Sequence, residues 1–229
     1  MKTLTVVIPF YNEENTLKKS IIKVLDAGVG DEIILVNDCS LDKSQEIAEE
    51  FEKSYKNIKL LKTKKNSGKG GAIKHGISYI DSDLFVVHDA DLEYNPEDLI
   101  EMKKLADENN DCVILGSRFI GNKKRNNIYK RALWANKFLS FLFSFINKKN
   151  VSDIATCYKL IPVKILKSIE LTENGFGYDT EVLAKSLKNE TKVIEVPIEY
   201  WGRTYEEGKK IGLSDGINFA YSIFKYRIR

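Results

Sequence analysis

The chain has 229 residues, 43% hydrophobic and 30% charged, a globular composition with enough apolar material for one large core and no sign of a disordered or fibrous chain. With 36 basic and 33 acidic residues the net charge is only +3, which excludes a global attraction to nucleic acid. Cys39, Cys112 and Cys157 lie far apart and form no CxxC pair, so a disulfide framework or zinc site is excluded and a reducing compartment is favoured.

The N-terminal "MKTLTVVIPFYNEEN" has only a short β-branched run before Pro9 and reads as a first core strand over residues 4–8, not as a signal peptide. Helical spacing follows through Leu17, Ile21, Val24 and Leu25 over 14–26, then a strand over 32–36 and a helix over 42–53. A short strand at 58–62 leads into "KKNSGKGGAIKHGISYI", which turns through glycines into a helix. Residues 84–88 form a fourth strand, 96–109 a helix with Pro96 in its first turn, and "CVILGSR" a fifth strand. Strands alternating with helices predict an α/β fold with a parallel sheet covered on both faces.

The longest apolar region, "LWANKFLSFLFSFI" at 133–146, is interrupted by Asn136, Lys137, Ser140 and Ser144 and falls short of the ~20 apolar residues that span a bilayer. No transmembrane segment is expected. With no linker, repeat or low-complexity tract, residues 1–229 read as one domain, 1–120 carrying the strand–helix alternation and 121–229 a C-terminal elaboration.

In such sheets ligands bind beyond the carboxyl ends of the strands, and the polar clusters "PFYNEE", "NDCS", "HDAD" and "GSR" all fall there. Asp89 and Asp91, two apart after an apolar strand, repel each other unless a cation lies between them, and Mg²⁺ or Mn²⁺ carrying phosphate oxygens removes that cost. The alternative is a solvated turn, which suits Glu97 and Asp98 at the next helix start better than it suits this pair. Asp38 either accepts the ring N–H of uracil or guanine or, with Asn37, makes an Asx-type turn and helix cap. The glycines of "NSGKGG" let backbone amides approach an anion at a helix start, and Lys69 adds charge there. Arg203, Lys209 and Lys210 either clamp a pyrophosphate or are solvated charges.

The ordered set "PFYNEE", "VNDCSLDKS", "NSGKGGAI", "DADLEYNPEDL", "GSRF" and "GFGYDTEVLAK" resembles the inverting family 2 glycosyltransferases of GT-A fold, and among them the dolichyl-phosphate mannose and glucose synthases and their polyprenyl-phosphate relatives. The resemblance runs over essentially the whole chain. It implies a Rossmann-like, mostly parallel sheet flanked by helices, with an acceptor-side elaboration at the C-terminal end. It implies a nucleotide-sugar site of Pro9, Tyr11, Glu13, Asp38, Lys69, Asp89, Ala90, Asp91, Arg203 and Lys209. Asp89, Asp91 and Glu93 would be the metal ligands, Glu93 standing where many such synthases carry Gln. Arg118, Lys130 and Arg131 would receive the acceptor lipid phosphate.

Helical projection of 130–147 gives a narrow polar stripe through Lys137, Ser140, Ser144 and Asn147 and a broad apolar face including Leu133, Trp134, Phe138, Leu142 and Phe145. With Lys123, Lys124, Arg125, Lys130 and Arg131 before it, this reads as an amphipathic helix lying in a membrane surface, against the alternative of a core helix or dimer face. "FAYSIFKYRIR" reads as a second such element.

The expected reaction is metal-dependent transfer of one hexosyl unit from a GDP- or UDP-sugar to polyprenyl or dolichyl phosphate with inversion, on the cytoplasmic face of the membrane. Asp89, Asp91 and Arg118 carry it. An anionic phosphate nucleophile needs no strong base; a hydroxyl acceptor needs one, with Asp153 first and Asp179 second. A non-catalytic nucleotide-sugar-binding module is the remaining alternative.

Overall fold

The computed structural model describes residues 1–127, 129–187, 191–203 and 213–227, the side chains of Lys130 and of residues 213–217 aside. A seven-stranded sheet in the order β3-β2-β1-β4-β7-β5-β8 forms its centre. The first half follows the alternation expected from the sequence: β1 (Leu4–Phe10), α1 (Leu17–Ala27), β2 (Glu32–Asn37), α2 (Ser44–Ser54), β3 (Ile58–Lys62), α3 (Gly68–Ile77), β4 (Leu84–Val87), α4 (Asp98–Glu108) and β5 (Cys112–Ser117). Then come β6 (Arg125–Asn126), α5 (Lys130–Asn147), β7 (Lys159–Pro162), α6 (Val163–Lys167), α7 (Tyr178–Ser186), β8 (Lys192–Pro197), β9 (Tyr200–Trp201) and α8 (Leu213–Lys225).

Six strands of the sheet are parallel, and β7 runs antiparallel between β4 and β5. Because β7 enters from the edge where its parallel neighbours end, residues 153–159 arrive at the same edge as Asp38, Asp89 and Arg118. The apolar residues of β1, β2 and β4 are almost fully buried on both faces, Val6, Ile8 and Val86 in one core layer and Val7, Ile34 and Val87 in the other. That two-sided burial is why these strands read as continuous apolar runs.

The first strand does not stop at Pro9. It continues to Phe10, with Pro9 opposite Val36 and Phe10 opposite Asn37. On the other side β4 has ended at Val87 by then, so no ladder partner meets the N–H that proline lacks. Just past that end, His88 is fully buried, with Nδ1 2.9 Å from the Tyr158 hydroxyl and Nε2 3.1 Å from Ser20 Oγ. Burial pushes its imidazole down to about 4, so it ties α1 to β7 as a neutral ring.

Helix α5 spans the residues read from the sequence, and its orientation is informative. The C-terminal part of its polar stripe faces inward, Lys137 remaining exposed: Ser140 Oγ accepts the Ile154 N–H at 3.1 Å, and Ser144 Oγ accepts that of Val151 at 3.1 Å and donates to the Val151 carbonyl at 3.0 Å. Four of its aromatics face outward, Trp134, Phe138, Phe141 and Phe145 each between 62% and 75% exposed at helical spacing, while Phe143 is buried in the core. Helix α8 packs beside it and adds exposed Tyr221 and Phe224. Among the described residues no helix is long and apolar enough to cross a membrane.

Candidate active site

The acidic turn after β4 is crowded. Burial and then the charges of Asp89 and Glu93 push the Asp91 carboxyl up to about 7, against the partial compensation of Arg203. Asp89 is also desolvated, but Lys69, with Nζ 2.8 Å from its Oδ2, holds it below its usual value. Lys69 is itself 3.7 Å from Asp179 Oδ2, and the buried Lys159 reaches Asp179 Oδ1 at 2.7 Å. An alternating chain of charges therefore runs from the site edge into the protein. Its inner member, Lys159, was missed in the sequence, although a lysine inside an apolar strand is the signal of a buried partner.

Arg203 is the cation nearest the other acids. Its Nη2 lies 3.2 Å from Asp91 Oδ2, its Nη1 3.5 Å from Glu13 Oε2, and its buried Nε, 3.9 Å from Glu93 Oε1, makes no hydrogen bond among the described residues. Glu93 is turned away from the pair: Oε1 accepts the Arg203 backbone N–H at 2.8 Å and Oε2 accepts the Tyr200 hydroxyl. Among the described residues no three acidic, histidine or cysteine side chains converge as a ready metal cage. The donor set nevertheless suits a hard divalent cation, because two close carboxylates whose crowding disfavours double ionisation offer oxygen ligands.

Arg118 follows β5 as expected, but it is buried and bound to Asp153 in a fork: Nε to Oδ2 at 2.7 Å and Nη2 to Oδ1 at 2.8 Å, with the Arg118 backbone N–H also on Oδ2 at 3.0 Å. Burial opposes the charge, but Asp153 holds the guanidinium well above its usual value. Asp153 is fully buried and committed to that arginine.

Asp38 is likewise buried and saturated. Its carboxylate accepts the Ser67 and Gly68 backbone N–H groups at 2.9 and 2.8 Å and the hydroxyls of Thr63 and Ser67, both at 2.8 Å. The helix start in "NSGKGG" thus holds an anion, and that anion is the chain's own Asp38. The glycines serve packing: a Cβ on Gly70 would meet the Glu173 carbonyl oxygen at 2.6 Å and Tyr178 Cβ at 2.9 Å. Asn37 makes the Asx turn, its Oδ1 accepting the Ser40 N–H at 2.8 Å. Asp38→Ala should remove the acceptor shared by four donors, two of which keep longer contacts to Asn66 and Asn37, and lower stability by roughly 3 kcal/mol, measured by urea unfolding. Loss of nucleotide binding at unchanged stability would instead assign Asp38 to base recognition.

Pro9 and Ala90 are buried beside the site edge and Tyr11 is partly exposed. Lys209 lies outside the described residues, as does the side chain of Lys130; Arg131 is exposed at the start of α5. Of the basic run before that helix, Lys123 is held on Asp98 at 3.0 Å, and Arg125 donates to the carbonyls of Arg118 and Gly121.

The family model for Glycosyl transferase family 2 matches residues 5–170. The dolichol-phosphate mannosyltransferase of Pyrococcus furiosus is 27% identical, over 97% of this chain and 64% of its own length. A dolichyl-phosphate beta-glucosyltransferase of Trichomonas vaginalis is 28% identical, over 98% of this chain and 73% of its own length. The chain therefore spans about two thirds to three quarters of these curated relatives. Among solved structures, glucosyl-3-phosphoglycerate synthase from Mycobacterium tuberculosis, in complex with Mn²⁺, UDP and phosphoglyceric acid, superposes with a TM-score of 0.72 at 15% identity, covering 98% of this chain and 78% of that one. That likeness establishes the GT-A-like fold. With the family model covering well over half its length, the chain belongs to glycosyl transferase family 2.

Proposed function

We propose that the protein transfers a hexosyl residue from a nucleotide-sugar to a polyprenyl or dolichyl phosphate with inversion, working at a membrane surface. The observation that carries this reading is the placement of Arg118. It lies at the same sheet edge as Asp89, Asp91 and Arg203, and its partner Asp153 adjoins Ile154, whose N–H rests on Ser140 of α5. An acceptor whose isoprenoid tail lies along the exposed aromatics of α5 would thus bring its phosphate toward a fixed guanidinium. The curated relatives named above act on dolichol or dolichyl phosphate by their names, which supports that acceptor class.

On the donor side, Asp89 and Asp91 would hold a divalent cation, Mg²⁺ or Mn²⁺, which when bound neutralises the leaving diphosphate. A Mn²⁺ ion and UDP in the mycobacterial relative of the same fold support this. Arg203 contributes a buried, unsatisfied N–H to a phosphate oxygen, and Lys69 keeps Asp89 ionised. The nucleophile is an anionic phosphate and requires no general base. The two carboxylates considered for that task, Asp153 and Asp179, are both held in buried ion pairs, which disfavours a hydroxyl acceptor.

Incubating the chain with Mg²⁺ or Mn²⁺, radiolabelled GDP- and UDP-sugars and a short polyprenyl phosphate should move label from one donor into the organic phase. No transfer from any donor, with nucleotide-sugar binding intact, would overturn the lipid acceptor. Substituting Trp134, Phe138 and Phe141 together by Ser should weaken sedimentation with lipid vesicles at least tenfold while sparing transfer to a short, soluble acceptor.

A further inference from the structure

Tyr200 belongs to no sequence motif, yet it touches both sides of the site. It lies in the two-residue strand β9, paired with β6, and is 8% exposed. Its hydroxyl donates to Oε2 of Glu93, whose Oε1 accepts the Arg203 backbone N–H at 2.8 Å, while the Trp201 N–H donates to the Glu93 carbonyl at 2.9 Å. The turn carrying Asp91 and the segment carrying Arg203 are thus stitched together three times around one glutamate. The Tyr200 ring meanwhile lies 4.9 Å from the Arg118 guanidinium carbon and meets Tyr94 edge-on at 5.2 Å. The Tyr94 hydroxyl in turn accepts the Cys157 N–H at 3.2 Å, at the entry to β7.

A carboxylate with one oxygen on a backbone N–H and the other on a phenol is a strut for the segment it holds. We propose that Tyr200 is a positioning residue for both substrates: through Glu93 its hydroxyl sets Arg203 against Asp91 for the donor diphosphate, and its ring fixes the plane of Arg118 for the acceptor phosphate. This inference rests on the proposed function, its acceptor half on a polyprenyl phosphate and its donor half on Asp91 and Arg203 as the diphosphate site. The donor half is read with a nucleoside diphosphate and Mn²⁺ alone.

The two halves separate by substitution. Tyr200→Phe keeps the ring and removes the hydroxyl, and Tyr200→Leu removes both. The purified full chain is titrated calorimetrically with UDP and with GDP in the presence of Mn²⁺, and KM for donor and acceptor is measured alongside. Tyr200→Phe should weaken binding of the preferred diphosphate about tenfold and raise donor KM to match, with acceptor KM unchanged. Tyr200→Leu should add a severalfold rise in acceptor KM. Glu93→Gln combined with Tyr200→Phe should be no worse than the poorer single variant, because both cut one linkage.

Diphosphate binding by Tyr200→Phe within twofold of the parent overturns the inference, and so does a fall in thermal stability with both KM values unmoved. If Tyr200→Leu does not fold, Tyr200→Phe and the cycle with Glu93 decide the donor half. Were the parent chain to bind diphosphate yet transfer no sugar to polyprenyl phosphate, the proposed function would fail, while the Tyr200→Phe titration would still judge the strut.

Discussion

Asp91→Ala should lower sugar transfer on the order of a thousandfold while making the metal-free chain more stable. The loss follows if Asp91 is one of two carboxylates placing a divalent cation on the leaving diphosphate, because Glu93, the next acid along the turn, is occupied by Tyr200 and Arg203 and does not take its place. The gain in stability follows from linkage. Burial and then Asp89 and Glu93 raise the Asp91 carboxyl from 3.8 to about 7 in the folded chain. Between those values the folded state holds a proton that the unfolded state has released, so as pH rises through that window the folded state loses ground. Removing the group should therefore stabilise the chain by roughly 2 kcal/mol at pH 8 and by almost nothing below pH 4, the partial exposure of the side chain keeping the gain below the full linkage value. Urea unfolding in EDTA at the two pH values checks it. Asp89→Ala makes the contrast, for Asp89 is the partner of Lys69 at 2.8 Å. It should lose transfer equally but stability as well, since Lys69 is left with only the more distant Asp179. Transfer by Asp91→Ala within tenfold of the parent chain would remove the acidic turn from the mechanism.

The first half of the fold was legible because its signals are local. Runs such as Ile33 to Val36 and Leu84 to Val87 are buried on both faces and bounded by polar turns, so a short window identifies them as strands. The correction at Pro9 was not legible, since a proline inside a strand is tolerated only where the neighbour has ended, and the end of β4 is set some eighty residues away. β7 has the same difficulty: "KLIP" pairs with Leu84 and Phe85 on one side and with Ile114 and Leu115 on the other, and nothing near it in sequence states that register.

The site divides along similar lines. Polar residues after apolar strands marked Asp38, Asp89, Asp91 and Arg118 as a set. Their partners were hidden, because each lies far along the chain and is chosen by packing. Asp38 faces Ser67 and Gly68, Arg118 faces Asp153, and Glu93 faces Tyr200 and Arg203. For α5, periodicity located two faces, and the reading as a membrane-surface helix put the aromatic one outward. What the sequence did not show is the partners on the inner side, where Ser144 and Ser140 accept the backbone N–H groups of Val151 and Ile154.

The pair of Arg118 and Asp153 yields the second large effect, on stability more than on chemistry. Asp153→Ala should cost about 4 kcal/mol, and so roughly ten degrees of melting temperature in a chain of this size, because it strands a largely buried guanidinium. Arg118→Met should cost a similar amount by stranding the carboxylate. The double variant should recover part of that loss, for no buried charge is then left unpaired, although the Arg118 backbone N–H that Asp153 also accepts stays without its partner. Transfer should not recover with it, because the acceptor phosphate would still lack Arg118. A general base predicts the opposite pattern. Asp153→Asn would then lose turnover with its melting temperature unmoved. The fork geometry makes the first pattern the expected one. A carboxylate whose two oxygens already accept three N–H groups from one arginine holds that arginine in place, and a group so held can neutralise an incoming phosphate without moving.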